Sequence, residues 1–382
     1  MIPYGRQCID DDDIHAVTQV LRSPWLTQGP VVQSFEKALA AKVGAEYAIA
    51  VSNGTAALHL TCLALGLGKG DYLWTTPLSF VASANCGLYC QAQVEFVDID
   101  PASRNICPVK LADQLAQAKT ANILPKVLVV VHFAGLPCDL KPIRELTDHY
   151  GIYLIEDAAH AIGSVYEGRA IGSGSYSDAT IFSFHPVKTL AAGEGGAILT
   201  NDAQLAARVR KLASHGVERD SEHWQSPPAA PCYYEQQALG FNYRLSDIHA
   251  ALALSQLNKL DAFVEARREK AANYLKGLLD TPLQLPVEPS NCYSAWHIYV
   301  VTFESTEQRD RCYQFLREHD IFTNVHYMPI HKQPLYRPLA RYFGSHFPAA
   351  EQHYARSLTL PLFVTLTEQE QARVISCLKE SL

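Results

Sequence analysis

Residues 153–201 read YLIEDAAHAIGSVYEGRAIGSGSYSDATIFSFHPVKTLAAGEGGAILTN. Three short apolar runs stand out, at Tyr153–Ile155, Ala179–Phe182 and Gly195–Thr200. Runs of this length, rich in β-formers, predict strands buried on both faces. Polar residues emerge at or just past two of their ends: Asp157 after the first, and Ser183 and Lys188 after the second. An Asp at one strand end and a Lys beyond another is what pyridoxal 5′-phosphate (PLP) asks of a protein. Its aldehyde needs a lysine amine, and its ring nitrogen needs a carboxylate, because only the protonated pyridinium is a strong electron sink. Taken alone, the same two residues also read as a helix N-cap and a solvated loop lysine.

The rest of the chain repeats the pattern of strand followed by helix. Tyr47–Val51 predicts a buried strand, and Ser52–Ala57 turn it into a helix whose apolar face is Ala56, Leu60, Leu63, Ala64 and Leu67. A glycine turn feeding a helix N-terminus offers free N–H groups to a phosphate, though an ordinary turn capped by Asn53 or Thr55 reads the same way. Strands at Tyr72–Thr76, Val94–Ile99 and Val127–Phe133 follow, separated by helical stretches. Such alternation predicts right-handed crossovers and a mainly parallel sheet covered by helices. Thr55, Asp157, His160, Ser183 and Lys188 then all fall at the carboxyl edge of the strands, where ligands bind in sheets of this kind. Phe80, just past a strand, reads either as core or as a flat apolar surface for a ring.

Other segments read more plainly. Asp10–Asp13 precede helical spacing at Ile14, Val17, Val20 and Leu21, a cap and solvated face and no metal site. Gly66–Gly70 leave a helix and lack the phosphate-loop pattern, so they form a helix end and turn. Residues 216–237 lose periodicity and hold three prolines, which predicts a surface loop. Ser246 reads as the N-cap of one long helix running past Arg267–Lys270. Beyond residue 256 the order changes to strand-like 296–303, a helix near 307–319, a strand near 321–326 and a last helix over 366–382. The division expected is a large domain over 1–255, its arm 1–30 partly over the active site, and a small α+β domain over 256–382.

Glu-Asp-Ala-Ala-His at 156–160, Ser-Phe-His-x-x-Lys at 183–188 and Gly-Glu-Gly-Gly at 193–196 resemble the DegT/DnrJ/EryC/StrS sugar aminotransferases. The resemblance covers nearly the whole chain and implies the fold type I architecture of PLP-dependent transferases. Leu26–Gly29, Thr76–Ala82 and Val325–Ile330 resemble the pseudaminic acid branch of that family most. It implies Lys188 and Asp157 as catalytic residues, Thr55, Ala56 and Ser183 at the cofactor phosphate, Phe80 stacked on the ring and His160 against it. It further implies that Asn242 reaches the phosphate of a neighbouring subunit, hence a homodimer with active sites at its interface. Tyr4, Trp25, Leu26, Thr27, His326, Tyr327, Met328, Pro329 and Ile330 become the expected substrate contacts. Arg244 reads as the partner of a substrate carboxylate or of a surface acid. L-glutamate and a UDP-4-keto-6-deoxy-N-acetylhexosamine are the implied donor and acceptor. Family members with His in place of the lysine are dehydratases, so Lys188 favours amino transfer. Rival readings are the aminotransferase that makes 4-amino-arabinose and a non-catalytic PLP-binding regulator.

Bulk properties bound these readings. A chain of 382 residues is long for one core. The net charge of −7 and the lack of a basic block argue against nucleic acid as a partner. The ten scattered cysteines suit reduced thiols, and no apolar run approaches a membrane span. With no charged-then-apolar start, a cytoplasmic protein without membrane attachment is expected. Lys188→Ala is expected to abolish both turnover and the visible absorbance of the bound cofactor, read by spectrophotometry; an active variant contradicts the assignment.

Overall fold

The computed structural model describes residues 1–227, 230, 232–339 and 341–382. Its centre is a seven-stranded sheet of β1 (Tyr47–Val51), β2 (Tyr72–Thr75), β3 (Gln93–Phe96), β4 (Val127–Val131), β5 (Tyr153–Asp157), β6 (Ala179–Ser183) and β7 (Gly196–Thr200). The spatial order is β1-β7-β6-β5-β4-β2-β3. All neighbours are parallel except β7, which runs antiparallel to both β1 and β6. The expected mainly parallel α/β sheet is therefore present, with its carboxyl edge shared by six strands. β4, VLVVV, is buried along its whole length because helices cover both faces.

The covering helices are α1 (Asp11–Arg22), α2 (Pro30–Val43), α3 (Gly54–Ala64), α4 (Ala82–Tyr89), α5 (Pro108–Ala121), α6 (Leu140–Tyr150), α7 (Ala203–Ala213) and α8 (Asp247–Leu257). One apolar cluster joins α2, α5, α6 and α8 to one face of the sheet. A second joins α3, α4 and α7 to the other. Fully buried side chains such as Trp74, Phe96 and Phe182 fill these layers, each contributing about 1.5–3 kcal/mol through apolar burial.

A third cluster gathers Ile2 with residues from Ala271 to Leu378. It is built from α9 (Leu260–Leu278), α10 (Thr306–Glu318), α12 (Glu368–Ser381) and the antiparallel pair β8 (Tyr299–Thr302) and β9 (Ser357–Leu360), whereas α11 (Pro348–Arg356) packs Ala350 into the second cluster. The chain start belongs here. Ile2 bridges Ile321, and the Leu362 N–H donates to the Tyr4 carbonyl at 3.0 Å.

Several expectations are corrected. The single helix after Ser246 is two, because Asn258 and Lys259 interrupt it between α8 and α9. The strand near 321–326 reduces to isolated bridges, Ile2 with Ile321 and Asn324 with Thr359. The surface loop over 216–237 has paired ends, Val217–Glu218 against Glu235–Gln236; its Pro228, Ala229 and Pro231 lie outside the described residues. Asp10 caps α1, yet Asp13 is buried and not on a solvated face. It accepts from Gln256 Nε2 at 2.7 Å and pairs with Lys259 at 3.0 Å. Helix α2 starts at Gly29-Pro30 and has no side-chain cap of its own. Its first turn is capped from afar by buried Asp247, which accepts from the N–H groups of Gly29 at 2.8 Å and Val31 at 3.0 Å. Asp247→Ala leaves both donors unpaired and should cost about 2–3 kcal/mol, measured by denaturant unfolding.

Candidate active site

Six strands end at one edge, and the turns leaving them carry the polar residues. At the end of β1, Asn53 caps α3 by accepting from the Ala56 N–H at 2.8 Å. The first N–H groups of a helix have no helical partner, so those of Gly54 and Thr55 stand at the positive end of α3. Ser183 closes the cradle from the side. A Cβ on Gly54 would lie 3.0 Å from the Ser183 Cβ. Gly196 makes the close approach possible, since a Cβ there would meet the Asn53 carbonyl carbon at 2.5 Å.

Asp157 ends β5 in register with Val131 and Ile181. Its Oδ2 accepts from Ser83 Oγ at 2.6 Å, and its Oδ1 accepts from the Ala159 N–H at 3.2 Å. Lys188 follows β6 on an excursion pinned at its base, where the Phe184 N–H donates to the Gly195 carbonyl and the Ala192 N–H to the Phe184 carbonyl, both at 2.8 Å. The side chain is half-buried and lines the cavity. Desolvation lowers its pKa to about 8, against the opposing attraction of Asp157.

The cavity, about 760 Å³, takes its wall from both parts of the chain. Asn53, Phe80, Asp157, His160, Ser183 and Lys188 come from the large sheet's edge. Tyr4, His297, Asn324, His326 and Tyr327 come from the chain start and the C-terminal third. The His160 and His297 rings lie tilted against each other with centroids 4.3 Å apart, and His160 Nε2 lies 3.1 Å from the Tyr327 hydroxyl. Burial holds both imidazoles well below the ordinary histidine range, with the Lys188 charge adding to the effect. His326 is likewise pushed down to about 3 by burial and Lys188, while Tyr327 is raised by burial. These rings are neutral at working pH. The Nδ1 atoms of His160 and His297 are buried without a protein partner. Phe80, a large apolar side chain, is 59% exposed at the wall, which excludes a core role for it.

The residues present suit PLP: an amine of lowered basicity, a buried carboxylate, a helix start beside a serine hydroxyl, and an exposed aromatic face. Comparison with known proteins decides the matter. The sequence matches the DegT/DnrJ/EryC1/StrS aminotransferase family over residues 7–379. The chain belongs to that family. Its cofactor is pyridoxal 5′-phosphate. The chain is similar to the spore coat polysaccharide biosynthesis protein SpsC of Bacillus subtilis, 38% identical over 99% of this chain and 96% of SpsC. Helicobacter pylori PseC, an aminotransferase of pseudaminic acid biosynthesis, superposes with a TM-score of 0.90 at 29% identity, covering 100% of this chain and 98% of PseC. The PLP form of Streptococcus pneumoniae Spr1654 superposes at 0.88 with 25% identity, covering 100% and 99%.

Not every expected contact gathers here. Thr55 and Ala56 line the cavity, but the Ala56 N–H is already taken by Asn53. Trp25, Leu26 and Thr27 do not line the cavity of their own chain. They are tied to the start of α8, where the Asp247 N–H donates to the Leu26 carbonyl and Thr27 bridges Ser246. Ile330 is core, fully buried, with its N–H on the Pro77 carbonyl at 2.9 Å; Met328 and Pro329 do not line the cavity either. Arg244 reaches Ser214 Oγ at 3.2 Å, and Asn242 is exposed outside the cavity of its own chain. Sequence reading passed over Ser83 and His297. Ser83 was findable as a small hydroxyl in the first turn of the helix that follows β2, four residues beyond Ser79, whereas His297 sat unremarked inside a strand-like run.

Uptake of PLP by the cofactor-free protein requires the neutral Lys188 amine, so its rate should rise with pH through about 8 and level off above. Stopped-flow growth of the visible band checks this; a flat profile between roughly pH 7 and 9 contradicts it.

Proposed function

We propose that the protein transfers the amino group of L-glutamate to the 4-keto carbon of UDP-2-acetamido-2,6-dideoxy-β-L-arabino-hex-4-ulose. The product is UDP-4-amino-4,6-dideoxy-N-acetyl-β-L-altrosamine, the pseudaminic acid intermediate. Likeness to PseC along the whole chain is the observation that carries this reading. PLP supplies the electron sink. Asp157 would hold the ring nitrogen protonated, Phe80 and His160 would pack against the ring, and Ser183 with the start of α3 would hold the phosphate. Lys188 Nζ takes the proton from the glutamate Cα and later returns one at the sugar C4. A pKa of about 8 suits that two-way duty, since both protonation states are populated near neutrality. The neutral rings of His160, His297 and His326 bring no positive charge to compete for it.

The active unit in this reading is a homodimer. Among the described residues, no arginine lines the cavity, although the substrates bring carboxylate and pyrophosphate groups. Asn242 and Arg244 sit outside their own cavity, where they are available to a partner's phosphate and substrate. The same holds for Trp25, Leu26 and Thr27. Within each subunit the catalytic residues belong to a domain over 1–255, and residues 256–382 form a smaller domain that closes the wall with His326 and Tyr327. No described helix is long and apolar enough to cross a membrane, in keeping with a nucleotide-sugar substrate met in the cytoplasm.

A related UDP-4-keto pentose, precursor of 4-amino-arabinose, is the competing acceptor. Purified protein given L-glutamate and each UDP-4-keto sugar in turn should aminate the N-acetylhexosamine derivative faster by at least about tenfold. Mass and NMR identify the product. Preference for the pentose, or no amination of either sugar, overturns the reading.

A further inference from the structure

The hydroxyl of Ser83 is buried in the first turn of α4 and has three oxygen neighbours. Asp157 Oδ2 lies 2.6 Å away, Ser79 Oγ 2.7 Å and the Phe80 carbonyl 3.3 Å. A serine has one proton to give. The carboxylate is both the nearest and the strongest acceptor, and 2.6 Å is the length of a charge-assisted O–H···O bond. Ser83 therefore donates its hydrogen bond to Asp157 Oδ2. The contact with Ser79 must then run the other way, with Ser79 donating to Ser83 Oγ. Ser79 is itself buried, and it lines the cavity. Two hydroxyls thus form a directed chain into one oxygen of the carboxylate, and each bond polarises the next. The Ala159 N–H occupies the other oxygen.

We infer that Ser83, fed by Ser79, is a positioning residue that orients the Asp157 carboxylate toward the ring nitrogen of the cofactor. Both donors come from the turn and helix start after β2, while Asp157 ends β5, with β4 lying between those strands. The contact ties the loop that carries Phe80 to the carboxylate. Ring plate and ring anchor are thereby set by one element. The inference rests on Asp157 meeting the ring nitrogen, as proposed above.

Cofactor-free wild type, Ser83→Ala, Ser83→Thr and Ser79→Ala are titrated with PLP, and the visible band of the loaded proteins is followed against pH. Loss of one hydrogen bond to a charged group should weaken PLP binding about tenfold in Ser83→Ala and move the midpoint of the band's pH titration. Ser83→Thr, which keeps the hydroxyl, should restore both. Ser79→Ala should shift both in the same direction by less. Wild-type affinity and midpoint in folded Ser83→Ala overturn the inference. Should that variant fail to fold, wild-type values in Ser79→Ala overturn it instead. A wild type that takes up no PLP overturns the cofactor role of Asp157 itself, a separate and recognisable result.

Discussion

A carboxylate 7% exposed at the end of the middle strand is the constraint to which the site answers. Burying such a charge costs several kcal/mol unless hydrogen bonds and an opposite charge meet it. Asp157 has the hydrogen bonds, from Ser83 and from the Ala159 N–H. Lys188 supplies an opposite charge nearby, and in the proposed function the cofactor's pyridinium would supply a second. The neighbouring Glu156 shows the alternative. Alternation along β5 sends it to the other face of the sheet, where His132 at 2.8 Å, Ser177 and Thr180 satisfy it inside the protein. The His132 Nδ1 accepts the Cys138 N–H at 3.0 Å, so the proton on Nε2 points to Glu156. Two successive acids thus serve two ends: one ties the fold together and the other faces the cavity.

Around Asp157 the electrostatics are arranged by removing water. Lys188 is made less basic and His160, His297 and His326 are kept neutral by the same desolvation. An amine that must gain and lose a proton in each half of a transfer works best when neither form is strongly preferred. Burial brings Lys188 toward that balance without a second cation beside it. The cost falls on buried Nδ1 atoms that lack protein partners, those of His160 and His297 among them, an expense tolerated where a ligand edge can meet them.

The C-terminal third completes the wall from a distance. Arg267 is fully buried and donates to the carbonyls of His297 and Leu362, both at 3.0 Å. Leu362 in turn donates to the carbonyl of Tyr4. Backbone bonds of this kind fix His297 and Tyr4 relative to the sheet edge, so that residues some 290 positions apart face one cavity.

The sequence by itself determined the strands and the residues at their ends. Buried runs such as VLVVV, YLIED and ATIFS announce themselves through composition, with Asp157 and Ser183 ending the last two and Lys188 five residues further on. Local chemistry also fixed Ser246 as a helix cap and narrowed the cap of α3 to Asn53 or Thr55, of which the structure selects Asn53, because a cap is made within four residues. Only the tertiary structure decided what depends on separate segments meeting. The capping of α2 by Asp247, the burial of Asp13 and the bond from Ser83 to Asp157 each join residues 74 or more positions apart. The exclusion of Trp25, Leu26, Thr27 and Ile330 from their own cavity belongs here too. Periodicity and motif spacing report which face a residue presents to its own element, not which distant element arrives to cover it.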